Sequence, residues 1–116
     1  MMNGLAKLLG NDKARGTTVE DTENRVEVAL SGTSWAVGPL RDEKGWLERM
    51  LAFKKDIRVD VAKCPRLSVY ALQWLMRLQQ KLRPEGRTLT LSNPSPWILN
   101  QIKIAGVAHR DVGLKA

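Results

Sequence analysis

A chain of 116 residues with 43% hydrophobic content has room for one domain, not two, and can bury a core without metal or disulfide support. A single cysteine excludes an internal disulfide, and no apolar run approaches the about 20 residues that a bilayer crossing needs, so a soluble cytoplasmic protein is expected. The net charge of +7 arises in one half: residues 1–57 hold nine Lys/Arg and nine Asp/Glu, whereas residues 58–116 hold ten and three. One side of the molecule should therefore present a positive field to an acidic partner, a nucleic acid or a membrane surface.

Residues 1–24 read as a polar leader with room for a short strand or helical turn, and the domain proper is expected over residues 25–116. The opening apolar stretch is broken by Lys7 and is too short for a signal-peptide core. Arg25-Val26-Glu27-Val28-Ala29-Leu30 alternates as a half-buried strand does and ends at Ser31-Gly32. A connection over 33–38 carries Trp35. Residues Pro39 to Phe53 then predict an amphipathic helix with Leu40, Leu47, Met50, Leu51 and Phe53 inward, weakened at Gly45 by about 1 kcal/mol. Ile57 to Ala62 alternates again as a second strand.

After Cys64-Pro65, Ser68 stands at a helix N-cap position, and Val69 to Arg83 is strongly helical, with Ala71, Leu72, Leu75, Leu78 and Leu82 on one side. Pro84-Glu85-Gly86 ends it. Arg87 to Ser92 is a third strand. Ser95 caps a last helix that opens at Pro96 and runs through Trp97, Ile98, Ile102 and Ile104 to Gly106. The tail from Val107 to Ala116 is expected to add a short edge strand. This alternation predicts a small open α/β layer fold: a mostly parallel sheet of about four strands with three or four helices.

The order of elements resembles the STAS domain, the family of sulphate transporter and anti-sigma factor antagonist modules. The likeness covers roughly Val26 to Val107. It rests on Arg58-Val59-Asp60-Val61, on the junction at Ser68, on the helix through Leu72, Leu75 and Leu82 to Gly86, and on Leu89-Thr90-Leu91-Ser92-Asn93-Pro94-Ser95-Pro96 followed by Ile104-Ala105-Gly106-Val107. Phosphorylation-controlled members carry an Asp-Ser-Ser-Gly-Leu type segment where this chain reads Ser68-Val69-Tyr70-Ala71-Leu72. Tyr70 takes the phosphoacceptor's position, so that role does not carry over directly. A one-step slip would leave Ser68 as the acceptor.

The resemblance implies a non-enzymatic regulatory module that docks a partner through its second predicted helix and the loop before it. The partner would be an anti-sigma kinase-like protein, or the ATPase of an ABC-type lipid transport complex. Tyr70, Trp74, Arg77 and Lys81, spaced four, three and four, fall on a stripe expected to face outward, with Arg66 and Ser68 at its head. The other reading has the basic half bind an anionic ligand directly: nucleic acid, nucleotide or lipid headgroups. Asp60 lacks a second acid, histidine or cysteine at a persuasive spacing, and reads as a loop-orienting carboxylate. His109 and Cys64 are single and fit neither a zinc set nor a catalytic pair. Phosphate-binding glycine loops are absent. No catalytic residue, cofactor or metal is expected.

Overall fold

The computed structural model describes residues 17–31 and 43–114. The predicted connection with Trp35, the first residues of the helix predicted from Pro39, and most of the leader lie outside them. Four strands, β1 (Thr17–Asp21), β2 (Arg25–Ser31), β3 (Asp56–Lys63) and β4 (Leu89–Ser92), form one sheet in the order β1-β2-β3-β4. β1 runs antiparallel to β2, and β2, β3 and β4 are mutually parallel. β1 falls inside the stretch read as leader, so the sheet begins at Thr17, ahead of the expected Arg25 start. Among the described residues three α-helices accompany the sheet: α1 (Glu43–Ala52), α2 (Val69–Leu82) and α3 (Pro96–Ile104).

Register explains the core. Val19, Val28, Val59 and Leu91 are paired across the sheet, and so are Val26, Ile57 and Leu89; all seven are buried. The alternate rows, Glu20–Glu27–Arg58–Thr90 and Thr18–Ala29–Asp60–Ser92, are polar or small and remain exposed or half-buried. A one-residue slip would exchange these faces, so the hydrophobic pattern itself sets the pairing.

Helix α2 is packed against more than the sheet. Its buried residues are Ala71, Leu72, Trp74, Leu75, Leu78, Gln79 and Leu82, an arc of roughly 160° at 100° per residue. Helix α1 lies alongside α2 and contributes buried Trp46, Leu47 and Met50. A helix wedged between a sheet and a neighbouring helix needs a wider apolar face than a single stripe. Trp74 sits at the edge of that face and is 1% exposed. The expectation that Trp74 points outward is therefore corrected: it is core.

Two buried polar side chains tie the layers together. Arg87, 8% exposed, donates to the carbonyls of Met50, Leu51 and Lys55 at 2.9–3.4 Å and to Glu85 Oε1 at 2.8 Å. A cation thus covers the carbonyls at the C-terminal end of α1, where the helix dipole favours it. The Gln79 side chain accepts from Leu89 N–H at 3.0 Å and donates to the carbonyls of Leu89 and Arg110.

The tail departs from expectation. In place of an edge strand, His109–Val112 form a turn of 3-10 helix, and Gly113 follows in the left-handed region at φ +83°. Its carbonyl accepts from Leu91 N–H at 2.8 Å. A Cβ on Gly113 would meet Leu89 O at 2.7 Å, so the close approach of tail to sheet requires glycine.

Candidate functional site

The junction before α2 is held by side chains from α3. Ser68 caps α2, its Oγ accepting from Ala71 N–H at 3.1 Å; Ser95 caps α3 in the same way, accepting from Ile98 N–H at 3.1 Å. Ser95 Oγ also donates to Pro65 O at 2.6 Å. The Gln101 amide grips Leu67 twice, accepting from its N–H at 3.2 Å and donating to its carbonyl at 2.7 Å. Residues 65–67 are thereby clamped onto α3, and the N-terminal end of α2 is fixed alongside it.

Between them lies an open groove of about 560 Å³, with Arg66, Val69, Tyr70, Trp97, Asn100 and Ile104 along it and buried Leu67 at its floor. Helical spacing accounts for the α3 contribution. Trp97, Asn100, Gln101 and Ile104 lie at separations of three, one and three on one side, while Ile98 and Ile102 fall on another and are buried. Val69 is 58% exposed, Tyr70 42%, Trp97 58% and Ile104 77%. Among the described residues five large hydrophobic side chains are exposed, and only Leu99, also on α3, does not line this groove. Scattered apolar exposure is ordinary; its concentration around one concavity is not.

The residues singled out from sequence separate here. Arg66 and Tyr70 line the groove, and Ser68 lies within its wall as a buried cap. Arg77 and Lys81 are exposed further along α2 and do not line it. Trp74 is in the interior. Val69, Trp97 and Ile104 were missed, although the three- and four-residue spacings along α3 could have distinguished Trp97 and Ile104 from the inward isoleucines.

Asp60 borders a separate hollow of about 290 Å³ lined by Thr18, Ala29, Leu30, Ser31, Ala62 and Lys63. Its carboxylate accepts from Ala62 N–H at 2.9 Å and from Asn93 Nδ2 at 3.2 Å. These two bonds, in that order, hold it below the usual aspartate range, with help from the charges of Arg58 and Lys63. Asp60 thus orients the ends of β3 and of the turn at Asn93, which takes a left-handed φ of +58°. Cys64 is fully buried, and desolvation pushes its thiol up. His109 is exposed in the 3-10 turn. Among the described residues no three His, Cys, Asp or Glu side chains cluster as metal ligands would. No described helix is long and apolar enough to cross a membrane.

Comparison with known proteins agrees with this architecture. No curated protein sequence matches the chain. Among solved structures, the protein TM1081, determined by NMR, superposes with a TM-score of 0.64 at 10% identity, covering 84% of this chain and 78% of that one. A variant of RsbS from Moorella thermoacetica superposes with a TM-score of 0.64 at 13% identity, covering 84% and 85%. At such identities the likeness speaks for the fold. A family model described as "Mlab, STAS domain" matches residues 17–114, a span that takes in every described residue. The chain belongs to the STAS domain family.

Proposed function

We propose that the protein is a non-enzymatic regulatory module of the anti-sigma antagonist kind, which docks a partner protein at the groove between the N-terminal part of α2 and the outer side of α3. The observation that carries this reading is the gathering of Val69, Tyr70, Trp97 and Ile104 around one preformed concavity. Tyr and Trp concentrate binding energy at interfaces. A groove clamped by Gln101 and Ser95 binds without first ordering its own loop, which lowers the cost of association. The similarity in fold to an RsbS protein supports the regulatory part of the reading.

A second reading concerns the partner. Tyr70 stands where phosphorylation-controlled relatives place their acceptor, and Ser68 is 8% exposed with its oxygen engaged as a cap. Docking that is not gated by serine phosphorylation fits the ATPase of an ABC-type lipid transport complex better than an anti-sigma kinase. The test is a photo-crosslinking amino acid placed in the native cell at Trp97, at Tyr70, and at Thr90 on the opposite sheet face. Crosslinks to one protein from Trp97 and Tyr70 but not from Thr90 support the docking groove, and the identity of that protein chooses between the two partners. Capture from Thr90 alone would refute it.

A further inference from the structure

The charge around the groove narrows the occupant, an inference that rests on the docking reading above. None of the described residues lining the groove is acidic, and Arg66 lies on its rim. Lys103 adjoins Ile104 in the last turn of α3. The N-terminal turn of α2, which opens here, contains no acidic residue to offset its positive dipole end, and the side of α3 that faces it carries none. The three carboxylates of residues 58–116 are engaged elsewhere: Asp60 with Ala62 and Asn93, Glu85 with Arg87 at 2.8 Å, and Asp111 with Arg83 at 3.3 Å.

We infer that the groove receives an amphipathic helix of a partner protein whose apolar ridge sits between Tyr70 and Trp97 and whose flanks are acidic. A second copy of this chain is a poor occupant, because a two-fold contact through the groove would set Arg66 and the α2 N-terminus against their own likeness. A bilayer is a poor one as well: the apolar residues border a concavity floored by Leu67, which suits a rod rather than a flat interface.

The experiment is a display selection of peptides of about 20 residues, about 30 Å long as helices, with a fixed leucine stripe and randomised flanks, against the full chain. The expected result is enrichment of Asp and Glu on the flanks. An enriched peptide should lose roughly 30-fold in affinity with Trp97→Ala, and Arg66→Glu should shift selection away from acidic flanks. Both variants are checked for unchanged circular dichroism. Failure to enrich binders, enrichment without an acidic bias, or binding that survives Trp97→Ala would overturn the inference. So would sedimentation of the wild type, but not of Trp97→Ala, with phosphatidylcholine–phosphatidylglycerol vesicles, or a dimer that Trp97→Ala dissociates. Should crosslinking at Trp97 identify a partner while the selected peptides show no acidic bias, the docking reading stands and this inference falls.

Discussion

Replacing Trp74 with alanine should unfold a large part of the protein's stability margin while replacing Trp97 should not. Trp74 is 1% exposed and ranks first by size among the fully buried side chains described; Trp97 is 58% exposed. Truncating a buried tryptophan costs about 3–5 kcal/mol through lost transfer energy and the cavity left behind. That is a fifth or more of a typical margin of about 5–15 kcal/mol, and for a domain of this size it lowers the melting temperature by at least about 12 °C. Trp97→Ala removes mostly solvated surface and should change stability by less than about 1 kcal/mol. Urea unfolding followed by far-ultraviolet circular dichroism measures both, with an unchanged slope certifying that only stability moved. A Trp74→Ala midpoint equal to that of the wild type would refute the packing of α2 between α1 and the sheet.

Four further outcomes are expected. Arg87→Met should destabilise the fold by about 2–4 kcal/mol in the same urea assay, because it strips the donors from the carbonyls of Met50, Leu51 and Lys55. Gly113→Ala should cost more than about 1 kcal/mol by calorimetry, since both its φ of +83° and the 2.7 Å approach to Leu89 O oppose a side chain. Asp60 has a depressed folded pKa, so its stabilisation is present above the ordinary aspartate range and is lost as pH falls through the depressed value. Asp60→Asn should flatten that acid limb in a pH series of unfolding curves. Cys64 is buried with a raised pKa, so iodoacetamide should label it only at the rate of opening or unfolding, which mass spectrometry can follow across the urea transition.

Much of this architecture is legible in the residues. Period-two alternation at Val26–Leu30 and Ile57–Val61 marked strands because one sheet face is buried and the other is polar. Ser68 and Ser95 announced helix starts through the chemistry of their hydroxyls, and both caps form. What stayed hidden depends on neighbours distant in sequence. A helical wheel of α2 cannot reveal that α1 will lie beside it, so the inward limit of its apolar face was drawn short of Trp74. Nor does β-propensity in the tail register that Gln79 and Gly113 already occupy the edge of β4. Strand β1 was obscured by its polar outer row, Thr18 and Glu20, which resembles a linker's composition. The groove needs the start of α2 and the outer side of α3, which are far apart in sequence, and only Arg66 to Tyr70 belong to the segment that the family resemblance singles out.

The bonds that Leu89 and Leu91 make away from β3 bear on how molecules of this kind can assemble. Both amide groups are spent, one on the Gln79 amide and one on the Gly113 carbonyl. A further strand arriving at that margin would find no donors at these two positions, so edge-to-edge pairing of copies is blunted there. Losing the Gly113 contact would bare the Leu91 amide at an edge strand, leaving there a free donor of the kind that recruits a strand from another molecule.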